Sequence, residues 1–181
     1  QNFSQKEVFI FKIFLVILGT TIINFTNFMD GSDGIVAGSM VIIFLIGSLL
    51  SGNSYLLLCG SLIGFLFLNW QPSKVFMGDG GSTFLGALLV GLIFSLESWI
   101  VVFKMFILMS PLLGDAFICL LRRFINGQMI FKAHCSHLYQ RLIKAGWSHS
   151  SVAILYMGWI IILAIPIIIG DIKNIFTILI F

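Results

Sequence analysis

An all-α, polytopic transmembrane helix bundle is the fold class this sequence predicts, on three observations. The 181-residue chain is 59% hydrophobic but only 9% charged, whereas a soluble domain carries about 25% charged residues. Six stretches approach the roughly 20 apolar residues that a spanning helix needs. Period-2 alternation is absent, which excludes a membrane β-barrel, and an open backbone cannot face lipid. No internal repeat is visible.

The six predicted spans run from Val8 to Ile23, Ile35 to Leu50, Tyr55 to Leu68, Thr83 to Leu96, Trp99 to Leu121 and Val152 to Ile169. A seventh, truncated span is expected to begin near Ile175. The third and fourth are short, so tilt or bilayer thinning is expected there. Lys12 and Lys104 fall inside apolar runs and are expected to snorkel or to face neighbouring helices. Residues 1–181 read as one membrane domain, expected to be the C-terminal part of a longer chain because the sequence starts at Gln1 and stops inside an apolar run. Cys59, Cys119 and Cys135 show no regular spacing and read as free thiols.

The connections are of two kinds. Short ones lie at 51–54, around Glu97 and Ser98, and from Gly170 to Asn174. Three richer ones span 24–34, 69–82 and 122–151. Strict alternation of six spans puts all three rich loops on one side. Lys74, Arg122, Arg123, Lys132, Arg141 and Lys144 lie on that side, so the excess of Lys and Arg predicts that it is cytoplasmic.

The first rich loop reads Asn24-Phe25-Thr26-Asn27-Phe28-Met29-Asp30-Gly31-Ser32-Asp33-Gly34. Two carboxylates three residues apart share one face of a helical turn, and asparagines precede them at a similar spacing. Such acids at a membrane boundary are costly unless hydrated, paired or bound to a cation. The plainer reading is a polar turn that ends a helix. An EF-hand is excluded by the spacing.

In the second loop, Phe76-Met77-Gly78-Asp79-Gly80-Gly81-Ser82-Thr83 places one carboxylate among three glycines before an apolar helix, where exposed N–H groups favour anions. An N-cap at Ser82 or Thr83 would explain the hydroxyls but not Asp79 or Lys74. The Gly-Lys-Ser/Thr of a P-loop is missing. The third loop carries Arg122-Arg123 and His134-Cys135-Ser136-His137-Leu138-Tyr139-Gln140-Arg141-Leu142. Arginine forks suit phosphate oxygens, although a solvated positive loop accounts for them equally. Zinc held by His134, Cys135 and His137 would lack a further Cys nearby. Asp115, near the end of the fifth span, reads either as functional or as an ion-pair partner of Arg122 or Arg123. Carboxylates, glycines and cations on one face point to metal-assisted phosphoryl chemistry, with Mg²⁺ suited to one or two carboxylates plus substrate phosphates.

These three stretches, in this order and on one side, resemble the polyprenyl-phosphate N-acetylhexosamine-1-phosphate transferases (glycosyltransferase family 4) over most of the chain. The segment from His134 to Leu142 looks most like the O-antigen and lipopolysaccharide initiating branch. The resemblance implies a Mg²⁺-dependent transferase, with Mn²⁺ as an alternative ion, in the bacterial inner membrane. It would move a sugar 1-phosphate from a UDP-N-acetylhexosamine to polyprenyl (undecaprenyl) phosphate and release UMP. It implies catalytic roles for Asp30, Asp33, Asp79 and His137, with Asp79 on the metal. Substrate contacts would come from Asn24, Asn27, Lys74, Gly80, Ser82, Arg122, Arg123, His134 and Arg141. Nucleic acid is not an expected partner, and a homodimer is compatible. The family carries an earlier Asp-Asp pair that this chain lacks, so the fragment alone is expected to be inactive. Where other branches place further histidines after His137, this chain has Tyr139 and Gln140. A transporter or a non-catalytic membrane scaffold is the rival reading.

Overall fold

The computed structural model describes residues 4–128 and 137–180, with side chains described as far as residue 170. Those residues form seven helices and no strand: α1 (Gln5–Phe28), α2 (Ile35–Ser51), α3 (Leu56–Asn69), α4 (Gly78–Phe94), α5 (Trp99–Ile125), α6 (Leu138–Lys144) and α7 (His149–Ile180). Three of them, Gln5–Phe28, Trp99–Ile125 and His149–Gly170, are long and apolar enough to cross a membrane. The helices α2, α3 and α4 have 17, 14 and 17 residues. At 1.5 Å per residue that gives about 21 to 26 Å, short of a hydrocarbon core of about 30 Å. The expected six full spans are therefore met in length by three.

A second difference concerns the end of the chain. The predicted connection from Gly170 to Asn174 and the separate seventh span do not occur, because α7 runs unbroken from His149 to Ile180. One glycine costs a helix only about 1 kcal/mol, and no proline follows Gly170 to stop it.

The helix α2 is the mast of the bundle. Ile35, Val36, Ala37, Met40, Ile43 and Phe44 are all buried, and α2 packs on α3, α4, α5 and α7. The helix α1 lies instead along α4 and α5, leaving Phe9, Ile10, Phe14, Val16 and Ile17 exposed. Such a belt suits lipid and would aggregate in water. Lipid gives helices no hydrophobic drive to associate, so close packing holds them together. At Gly86 of α4, an added Cβ would lie 2.9 Å from the Ile23 Cα of α1, so the two backbones meet directly.

Polar motifs sit on helix ends more than the hydropathy suggested. The helix α1 continues through Asn24 and Asn27, α4 begins at Gly78 and so includes Asp79, and α5 includes Arg122 and Arg123. Ser82 lies inside α4, whose N-cap is Met77. Apolar length marks where the lipid-compatible surface ends; the backbone hydrogen bonds run further.

Candidate active site

The C-terminal end of α1, the 29–34 turn, the end of α3, the start of α4, α6 and the start of α7 surround one cavity of about 480 Å³. Asn27, Asp30, Asp33 and Asp79 line it, as do Asn69, Tyr139 and His149. Residues of all three rich loops thus line one cavity at one end of the bundle.

Local chemistry explains how the first loop is held. Asp30 and Asp33 lie beyond the end of α1, in the turn leading to α2. Gly34 adopts φ 76° as it enters α2, a left-handed conformation natural to glycine. Its N–H donates to Asn69 Oδ1 at 3.0 Å, while Asn69 Nδ2 donates to the Val75 carbonyl at 3.0 Å. One buried amide therefore ties the first loop to the second. Ser73 Oγ adds a 2.9 Å bond to Asp33 Oδ1.

Between α1 and α4 the link is Ser82, fully buried, whose hydroxyl donates to Asn27 Oδ1. Ser82 thus orients Asn27 from behind the cavity wall. Burial first, and then the nearby Asp79 charge, push the Asp30 pKa up to about 7, with a Gly78 backbone hydrogen bond partly offsetting both. The two carboxylates thus feel each other across a confined space, where a counter-charge is favoured.

His149, the first residue of α7, was not singled out by sequence reasoning. Its Nδ1 lies 3.1 Å from Ser32 Oγ, and the Asp33 backbone N–H donates to it at 3.4 Å. A backbone N–H can only donate, so Nδ1 is the acceptor in that contact. Asp33 Oδ1 stands 3.9 Å from the same nitrogen. Only the His-Ser-Ser opening of the last span hinted at this residue.

Tyr139 was also missed. Its hydroxyl donates to the Phe28 carbonyl at 3.1 Å, and its ring packs against Gly31 so closely that any Cβ there would collide with Tyr139 Oη. Burial and the nearby Asp115 raise the Tyr139 pKa, which keeps the hydroxyl a donor.

The other predicted site residues divide. His137 is buried, with its ring stacked on Tyr139 at 5.7 Å between centroids and 6.2 Å from Phe28, so it backs Tyr139 and does not line the cavity. Arg122 and Arg141 line a second cavity of about 260 Å³ between α5, α6 and α7, with Pro111, Gly114, Ile118 and Trp159. Asn24, Lys74 and Gly80 are exposed and outside both sets of lining residues. Arg123 is part of the last turn of α5. His134 lies outside the described residues.

Asp115, with two open readings from sequence, is an organiser of α6. Its Oδ1 accepts the Leu138 N–H at 2.7 Å. Its Oδ2 accepts the Tyr139 N–H at 3.3 Å and the Tyr156 hydroxyl at 2.7 Å. His137 Nδ1 stands 3.9 Å from Oδ1.

Residues 2–97 match the sequence profile of glycosyl transferase family 4. The chain is 40% identical over 157 residues to a Bacillus subtilis protein named "Probable undecaprenyl-phosphate N-acetylglucosaminyl 1-phosphate transferase", covering 79% of this chain and 43% of the relative. It is 32% identical over 182 residues to a Mycobacterium leprae decaprenyl-phosphate N-acetylglucosaminephosphotransferase, covering 81% of this chain and 45% of that protein. Over 86 residues it is 44% identical to a phospho-N-acetylmuramoyl-pentapeptide-transferase of Chlamydia muridarum, covering 41% and 25%. The chain therefore spans less than half the length of these relatives.

Proposed function

Because the chain belongs to glycosyl transferase family 4, we propose that the full-length protein transfers N-acetylhexosamine 1-phosphate from a UDP-sugar to polyprenyl phosphate, with undecaprenyl phosphate as the lipid. An oxygen of the lipid phosphate forms a bond to the sugar-bearing phosphorus of the donor. The bond from that phosphorus to the bridging oxygen breaks, and UMP leaves with the electron pair. The lipid-linked sugar would initiate lipopolysaccharide, O-antigen or another cell-envelope glycan. The names of the relatives support the lipid phosphate and the amino sugar.

The observation that carries this reading is the convergence of Asp30, Asp33 and Asp79 on one cavity at the end of an apolar bundle. Phosphoryl transfer needs positioning and charge stabilisation more than covalent help from the protein. A transporter would place its polar groups near the bilayer midplane; here they gather at the helix ends.

The donor set fits a hard cation. The cavity offers carboxylate oxygens, and the charge of Asp79 helps push the Asp30 pKa up to about 7. Among the described residues, no three His, Cys, Asp or Glu side chains form a protein-only metal cage. Mg²⁺ takes one or two carboxylates and fills its other positions with phosphates and water, so it needs no such cage. Asp79 would be its direct ligand, with Asp30 and Asp33 in support and Mn²⁺ as an alternative. When bound, such an ion neutralises the diphosphate and the departing UMP. On the far side of α6, the mostly apolar cavity bearing Arg122 and Arg141 suits an anionic headgroup whose tail stays in lipid.

The test is UMP release by the purified full-length protein. Release should require UDP-N-acetylhexosamine, polyprenyl phosphate and a divalent cation together. Equal release without the lipid acceptor would make the protein a hydrolase and remove the transfer reading.

The excess of Lys and Arg at the active end supports a cytoplasmic orientation of that end in the bacterial inner membrane. Asn126 and Asn53 are both exposed, one beyond α5 at the active end and one in the turn after α2. In a variant without its native cysteines, Asn53→Cys should react with an impermeant thiol reagent added outside spheroplasts, whereas Asn126→Cys should react only after permeabilisation. The reverse pattern would invert the assigned orientation.

A further inference from the structure

The cavity wall at Tyr139 is built from a distance. The helix α6 has only seven residues, too few to persist on its own hydrogen bonds. Its first two N–H groups have no partner within the helix, and both donate to the carboxylate of Asp115. Asp115 is 9% exposed and lies on α5, 23 residues before the first of those donors. Its own orientation is fixed by the Tyr156 hydroxyl of α7. The helix it holds presents Tyr139 to the Phe28 carbonyl and to Gly31, next to Asp30, and His137 stacks behind that ring. Asp115 does not itself line the acidic cavity; with Leu138 it borders the second cavity, beside Arg122 and Arg141.

We propose that Asp115 is a positioning residue for sugar-phosphate transfer: by capping α6 it sets the place of Tyr139, and through Tyr139 that of the Phe28–Asp30 turn. The role rests on the transferase reading above. A buried carboxylate satisfied by two backbone N–H groups and a phenol is rigid, because charge-assisted hydrogen bonds are short and directional. Misplacing a reacting geometry by about 1 Å can cost 10²-fold in rate, so a capping group outside the cavity can matter as much as one within it.

Two variants of the full-length protein test this. Asp115→Asn exchanges one acceptor oxygen for an NH₂ that faces N–H donors. It should lower kcat for UMP release roughly ten- to hundredfold, with much smaller changes in KM for the UDP-sugar and for polyprenyl phosphate; a rise confined to the KM for polyprenyl phosphate would make Asp115 part of the lipid site and overturn the positioning role. Leu138→Pro is the second. Leu138 is the first residue of α6 and follows His137 at ψ 152°, a position and a preceding conformation that proline accepts. This change deletes the 2.7 Å bond to Asp115 and leaves α5 intact. It should reproduce much of the kcat loss even if Asp115→Asn folds poorly. In both variants, the amides from Tyr139 to Leu142 should exchange with deuterium at least about tenfold faster, while those of α2 keep wild-type protection. Wild-type kcat in Leu138→Pro would overturn the proposal, as would unchanged exchange in α6. If the wild-type protein released no UMP at all, the transferase reading would fall, while the exchange measurement would still report whether Asp115 holds α6.

Discussion

Asp79→Asn in the full-length protein is expected to lower UMP release by at least about 10²–10³-fold, the loss seen when one preorganised charge-stabilising group is removed. Asparagine keeps the shape of the side chain and one oxygen but loses the charge that a hard cation requires. Asp79 lies in the first turn of α4 and is exposed to the cavity, so the exchange disturbs no packed core. Fold and thermal stability should stay close to wild type. The control is Asn53→Ala at the opposite end of the bundle, which should leave turnover unchanged. Wild-type turnover by Asp79→Asn at limiting Mg²⁺ would remove Asp79 from the metal and with it the assignment of this cavity as the active site.

Gly31→Ala should be nearly as damaging, for a steric reason. The new methyl would fall on Tyr139 Oη, with the ring carbons Cζ and Cε2 at 3.1 and 3.3 Å. Tyr139 is fully buried and hydrogen-bonded, so it cannot step aside; overpacking of this kind costs about 1–3 kcal/mol. The strain would displace the turn that carries Asp30, with an expected loss of roughly 10²-fold in turnover. Relief should come from Tyr139→Phe. It removes the colliding oxygen and leaves contacts that shifts of a few tenths of an ångström absorb. Recovery of activity in the double variant relative to Gly31→Ala alone is the result to look for. No recovery would mean that Gly31 matters for something other than its contact with Tyr139.

Much of the site was legible before any coordinates, and the reason is physical. Carboxylates at a membrane boundary are rare and costly, so Asp30, Asp33 and Asp79 stood out, and counting spans placed them at one end. What escaped were residues whose importance comes from the partner they meet. Asn69 looks like the polar end of an apolar run, yet its amide joins two loops. His149 gains its meaning from Ser32, 117 positions earlier. Ser82 read as a cap or a ligand contact and is a strut to Asn27. Helix ends were misjudged at Phe28, Gly78 and Ile125 because hydropathy reports solvent preference, whereas the helices continue for as long as their hydrogen bonds do. The break expected after Gly170 failed because a single glycine is a weak stop.

The backbone-to-backbone seam between α1 and α4 has a consequence for the electrostatics of the cavity. Asp30 follows the end of one of these helices and Asp79 opens the other, and the seam at Ile23 and Gly86, with the Asn27–Ser82 strut above it, keeps the helices from separating. Their mutual repulsion therefore cannot be relieved by the helices moving apart, and it adds to burial in raising the Asp30 pKa. The cation proposed for this cavity would meet walls already held at their spacing, with no closure to drive.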